Sequence, residues 1–243
     1  MSDSTRDSVT DEMLEDCLQA LQRFQQQGQP TGLEAVAGFA RLTPEAAAAV
    51  LAELQRRGLL DRDPAGHPVL TPEGQRQAAG VLRRHRLSER LFTDVLGLPW
   101  DQVHDEAMRF EHSITPDGEA RLANLLDNPE TCPHGGPIPS PDGSVRAFGS
   151  RTLDQVAAGS RVRIQQIANE EKEFLRYLAS LGLFPEAEVG VEEVAPFGGP
   201  LLIQVGGARY ALGREVASRI LVRMGQEENE SGGGRRRWRR RGA

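Results

Sequence analysis

Apolar residues recur every three or four positions between residues 11 and 27, at Leu14, Leu18, Leu21 and Phe24. That spacing predicts an amphipathic helix, broken by Gly28, Pro30 and Gly32. LEAVAGFARL predicts a short second helix, and TPEAAAAVLAELQRRGLL a third. In the third, Thr43 is placed to cap the first turn, Pro44 opens it and Gly58 ends the helix. Leu59 and Leu60 lead into DRDPAGHPVLTPEGQ, whose Pro-Ala-Gly and Thr-Pro-Glu-Gly turns predict a small β-ribbon. Helix, short helix, capped helix and ribbon in that order predict a winged helix-turn-helix; a generic small helical domain is the alternative.

A second helical block is expected from about Gln75 to Asp127, with start signals at Pro99–Asp101 and Thr115–Asp117. CPHGGPIPSPDGSV closes it as a turn and linker. From Arg146 the pattern shifts to period two in SRVRIQQI, EVGVEEV, PLLIQVGG, ARYALG and SRILVRM, interrupted by one helix, EEKEFLRYLASLG. Five short strands around a helical insert suit an SH3-like barrel. The expected fold class is mainly α with a small β domain, divided at 1–74, 75–145 and 146–226. Residues 227–243, which lack apolar periodicity, are expected to be a disordered tail.

Hydrophobic residues make up 38% of the 243, which favours several small cores over one large one. No apolar run is long enough to span a bilayer, and the polar start MSDSTRDSV has no secretory h-region. Two cysteines, Cys17 and Cys132, give no disulfide framework, so a reducing cytoplasm is the expected setting. The net charge is −6 even with six arginines in RRRWRRR. An acidic body argues against a general nucleic-acid coat and suits a protein that gathers divalent cations.

HDEAMRFEH, residues 104 to 112, holds two of the five histidines. On a helix His104 and Met108 share a face, and Met108, Glu111 and His112 follow at i, i+3 and i+4. His85 and Glu89, in RRHRLSER, form another i, i+4 pair. Neither group completes a shell of four to six donors alone. Asp16, on the first helix, is placed to add a carboxylate if that helix packs against HDEAMRFEH. The alternative is an ion-paired helical face with one or two core histidines.

RRHRLSERLFTDVLGLPWDQVHDEAMRFEHSIT, followed by CPHGGPIP, resembles the metal-dependent regulators of the diphtheria toxin repressor family, including its manganese-sensing branch. The likeness extends over nearly the whole chain. It implies a homodimeric regulator that binds palindromic double-stranded operator DNA when loaded with Mn²⁺ or Fe²⁺, and no enzymatic activity. It assigns DNA binding to the winged helix, dimerisation and metal binding to the helical second domain, and an SH3-like (FeoA-like) fold to the third.

Residue by residue, the resemblance implies a primary metal site of Asp16, Met108, Glu111 and His112. It implies an ancillary site of His85, Glu89 and His104, completed by Glu170 and Glu173 from NEEKEF. The family usually has methionine or aspartate at the first primary position and cysteine or glutamate at the second; the pairing of Asp16 with Met108 matches neither branch. Gln19 stands where the manganese branch often has a second carboxylate. Oxygen donors suit Mn²⁺, the Met108 thioether suits Fe²⁺, and Zn²⁺ would bind by raw affinity.

The recognition helix would be residues 43 to 57. Thr43, Pro44, Glu45, Ala46, Ala48 and Ala49 would face bases, the alanines touching thymine methyl groups. Arg41, Arg56, Arg57 and Arg62 would meet phosphates. The alanine run also fits plain helix propensity, and RRRWRRR fits either phosphate attraction or a solubilising tail. Two other readings of the cation cluster and the β domain are a metallohydrolase and a ferrous-transport accessory protein.

Overall fold

The computed structural model describes residues 9–26, 31–146, 149 and 151–224. The arginine-rich tail expected at 227–243 lies outside these residues. Three helices open the chain: α1 (Asp11–Gln26), α2 (Leu33–Phe39) and α3 (Pro44–Arg56). Thr43 Oγ1 accepts from Ala46 N at 3.2 Å, which satisfies one of the free amides at the α3 N-terminus. Leu14, Leu18 and Leu21 of α1 pack with Val50 and Leu54 of α3 in one core, so the 3.6-residue stripe is the face that folds the domain. β1 (Leu60–Arg62) and β2 (Pro68–Leu70) pair antiparallel as the wing.

Thr-Pro-Glu-Gly is not a ribbon turn. Thr71 Oγ1 accepts from Gly74 N at 3.1 Å, and Pro72 starts α4 (Pro72–Arg90). The same cap-plus-proline chemistry as in α3 explains it. The helix therefore runs across the boundary expected at residue 74. Its first turn sits directly on the wing: a Cβ at Gly74 would lie 1.9 Å from Leu59 O.

α4 continues into a π-turn, Leu91–Val95, and is followed by α5 (Val103–Phe110), a 3₁₀ turn (Glu111–Ser113) and α6 (Pro116–Leu125). Pro99–Asp101 forms a turn ahead of α5. α4 packs against α1, α5 and α6, so one helix touches the reading head and both halves of the HDEAMRFEH segment.

The last region holds β3 (Arg161–Ile167), α7 (Lys172–Ser180), β4 (Glu188–Val194), β5 (Leu201–Val205), β6 (Ala208–Leu212), α8 (Arg214–Ala217) and β7 (Ile220–Met224). Its five strands form one antiparallel sheet in the order β6-β5-β4-β3-β7. Ile164, Leu175, Leu178, Leu201 and Ile203 make its core, and Trp100 of the helical block packs against it. Ile167 N donates to His134 O at 2.9 Å, which ties the CPHGGPIP loop to β3. Among the described residues, no single helix is long and apolar enough to cross a membrane.

Candidate metal centre

Among the described residues, three groups of donor atoms converge, each within 4.8 Å: Asp16, Glu111 and His112; His85, Glu89, His104 and Glu170; and Glu89, Cys132 and His134. The first joins α1 to the end of α5. The α-helix stops at Phe110, so Glu111 and His112 sit on the 3₁₀ turn rather than on a continued α stripe. His112 Nε2 lies 3.1 Å from Asp16 Oδ1, and its Nδ1 lies 2.7 Å from Glu15 Oε2. Met108 is half-buried on α5, three residues before Glu111.

The second group draws on α4, α5 and the segment before α7. His85 Nε2 lies 3.2 Å from Glu89 Oε1 and 3.1 Å from His104 Nδ1, and His104 Nδ1 lies 2.9 Å from Glu170 Oε2. Glu170 also pairs with Arg23 of α1, a buried guanidinium. Glu173 is not brought in. The helix begins at Lys172, with Glu170 on non-helical chain before it, so the i, i+3 rule does not link the two; Glu173 lies exposed on α7. A cleft of about 710 Å³ lined by Arg23, Phe39, Asp101, His104, Glu170 and Arg219 leads to this group.

Cys132 and His134 were part of the CPHG block but not of any expected ligand set. Both are buried, and His134 Nδ1 lies 3.3 Å from Glu89 Oε1. Their spacing and the reducing setting were the available signal; what sequence alone lacks is the loop fold that turns them onto α4.

Burial alone would lower the pKa of His85, but the Glu111 and Glu89 carboxylates outweigh it and hold it up at about 10. Hydrogen bonds to Asp16 and Glu15 push His112 up to about 10. Burial also opposes the charged form of His134, yet Glu89 raises it well above the ordinary range. Against burial, His134 and His85 keep Glu89 well below the usual carboxylate range, and Arg23 does the same for Glu170. Glu89 and Glu170 are thus anionic, and the positive charge beside them comes from imidazolium and guanidinium groups. Glu89 Oε2 and Glu111 Oε1 are buried without a hydrogen-bond partner. Buried carboxylate oxygens beside histidine nitrogens fit a hard divalent cation in both groups.

Of the expected DNA-facing residues, Pro44, Glu45, Ala48 and Ala49 are exposed on α3, as is Thr43 at its cap, while Ala46 is half-buried. Arg56 and Arg57 both bond to Glu53, whose carboxyl they pull down to about 2. Arg62 Nη1 donates to Gly66 O across the wing turn. Arg41, at a positive φ of 54° between α2 and α3, pairs with Asp105 of α5.

Two family models match the chain: the iron dependent repressor metal binding and dimerisation domain over residues 71–140, and the FeoA domain over residues 151–224. The iron-dependent repressor IdeR of Mycobacterium leprae is 35% identical over 184 residues, covering 71% of this chain and 80% of that protein. The diphtheria toxin repressor of Corynebacterium glutamicum is 33% identical, covering 71% and 78%. A manganese-dependent transcriptional repressor solved in complex with manganese superposes with a TM-score of 0.81 at 31% identity, covering 87% of this chain and 99% of that one. T. acidophilum IdeR superposes with a TM-score of 0.76 at 28% identity, covering 90% and 99%.

Proposed function

The chain belongs to the diphtheria toxin repressor family of iron- and manganese-dependent transcriptional regulators, and from that premise we propose that Asp16, Met108, Glu111 and His112 form its activating metal site. The family consists of DNA-binding regulators, not enzymes, so the metallohydrolase reading falls; the FeoA match covers only the last third, so the accessory-protein reading falls with it. The protein is a homodimeric, metal-binding regulator of transcription. Mn²⁺ or Fe²⁺ is its proposed activator, repression of metal-uptake genes in the cytoplasm its proposed role, and a palindromic operator its proposed DNA.

The observation that carries the site assignment is the convergence of Asp16 from the winged helix with Glu111 and His112 from the helical block. Asp16, Glu111 and His112 would hold a cation there; it would supply the positive charge that the His112 proton now provides beside the acids, and its ligands would tie α1 to the turn after α5. Binding that is tighter in the fixed arrangement shifts the population toward it. In a dimer the two α3 helices are then held for successive major grooves. The ancillary site in this reading is His85, Glu89, His104 and Glu170, with Glu173 left at the surface. The working domains are 1–74, 75–145 and 146–226, with α4 running across the first boundary.

Ala48 and Ala49 offer methyl contacts only, so base readout is thin on that face and backbone and DNA shape carry more of the specificity. The test is anisotropy binding to duplexes selected from a random library by the manganese-loaded protein, titrated with Mn²⁺, anaerobic Fe²⁺ and Zn²⁺. Wild type should respond to metal and His112→Ala should not. An unchanged titration in His112→Ala would remove the primary-site assignment.

A further inference from the structure

His112 is gripped from two sides by adjacent acids of α1. Asp16 faces Nε2, and Glu15 faces Nδ1 at 2.7 Å. Glu15 does not act alone. Its other oxygen, Oε1, accepts from Arg84 Nη2 at 2.7 Å, and Arg84 Nε donates to the backbone oxygen of Glu111 at 3.2 Å. One guanidinium from α4 therefore holds both the acid that touches the His112 ring and the peptide that carries His112. The side chains are mostly covered, with 18% of Arg84, 31% of Glu15 and 10% of His112 exposed.

Given the primary-site assignment above, on which this rests, we propose that Glu15 is a positioning residue for His112 and that Arg84 holds Glu15 in place. A neutral imidazole has one N–H and one lone pair. A carboxylate against Nδ1 accepts from it and so fixes the N–H there. The lone pair is then on Nε2, which points at Asp16 and the site. The carboxylate also makes the ring a better donor, the usual effect of an outer acid on a metal-binding histidine. A simple ion pair between Glu15 and Arg84 at the domain junction would give the same contact without any effect on the ring, so the test must separate the two.

The full-length protein carries the experiment, with Zn²⁺ as a diamagnetic probe and Co²⁺ as an optical one. Long-range ¹H–¹⁵N spectra of the histidine rings read the tautomer directly. In the zinc-loaded wild type, His112 should carry its remaining proton on Nδ1, hydrogen-bonded to Glu15 and slow to exchange with water, and in Glu15→Ala that proton should exchange faster and its signal broaden. Competition with a chelator should show Co²⁺ affinity at the site falling about 10–100-fold in Glu15→Ala. Glu15→Gln, whose amide oxygen still accepts, should fall between the two. In a His112→Ala background, Glu15→Ala should cost nothing further, because the effect runs through the ring. A proton on Nε2 in the wild type overturns the proposal, as does an equal loss from Glu15→Ala with and without His112. If His112→Ala leaves Co²⁺ binding at wild-type strength, the primary-site assignment fails first and the proposal fails with it; that outcome is read from the single His112 variant and is distinct from failure of Glu15 alone.

Discussion

His85 Nδ1 lies 2.5 Å from Glu111 Oε2, so a ring of one donor group touches a carboxylate of the other. The second nitrogen of the same ring faces Glu89 and His104. If Nε2 held a cation, the ring would keep only its Nδ1 proton, and that N–H would donate to Glu111 and fix that carboxylate for the first site. Coupling of this kind is reciprocal in free energy. His85→Ala is expected to lose one metal by calorimetric titration with Mn²⁺ and to weaken the remaining one. Wild-type affinity at the remaining site would show that the contact carries no coupling.

Protons should leave when metal enters. His85 and His112 are both held near 10, so both are charged at neutral pH, and each must give up a proton to offer a lone pair. Addition of Mn²⁺ to weakly buffered protein at pH 7 should release roughly two protons per subunit, read with an indicator dye, and apparent affinity should rise with pH. The sign for folding is opposite. A histidine raised in the folded state stabilises fully below its unfolded value of about 6.5, and that stability is lost as pH rises toward 10. The metal-free protein should therefore melt lower as pH goes from 7 to 10, while the lowered values of Glu89 and Glu170 cost it stability at the acid end. A melting temperature flat across that alkaline range would contradict the assigned charges.

Arg23 and Glu170 join the first helix of the reading head to the β domain through a buried pair. Both side chains are under a tenth exposed, and Arg23 Nη1 already lacks a partner. Removing one member leaves the other buried and uncompensated, at a cost of about 3–5 kcal/mol. Glu170→Ala should lose that much in denaturant unfolding. It should also weaken metal activation of DNA binding less than His112→Ala does, since it spares the first donor group. Complete loss of activation would reverse the ranking of the two sites.

The elements were legible where local chemistry decides them. The Leu14–Leu18–Leu21 stripe and the Thr43–Pro44 cap read directly as α1 and α3, while the same cap at Thr71 reads as a turn only because it follows a ribbon closely. The groups at His104 and at His112 lie at the two ends of HDEAMRFEH, as helical spacing implies. Contacts that cross between domains were not legible. Glu15 meets His112 across 97 positions, and Arg23 meets Glu170 only through the way the β domain docks. Glu173 shows the converse: a spacing rule applied one turn before the helix begins.

Gly135 holds the seam between the helical block and the β domain. Its φ is +84°, and a Cβ there would lie 2.1 Å from Gln165 O of β3, a backbone atom that cannot step aside. The neighbouring His134 faces Glu89 on one side and accepts from Ile167 N on the other. Gly135→Ala must therefore either push β3 away or rotate the CPHGGPIP loop, and either movement displaces His134 and brings Glu170 with it. Gly159 is the control, at a φ of +81° with open space around its Cβ position. Gly159→Ala should cost only the left-handed backbone penalty, about 1–2 kcal/mol. Gly135→Ala should cost more in denaturant unfolding, and alone of the two should lower metal affinity at the group containing His85, Glu89 and Glu170. Equal effects of the two substitutions would mean that the seam yields to a methyl group and does not fix the position of that metal site.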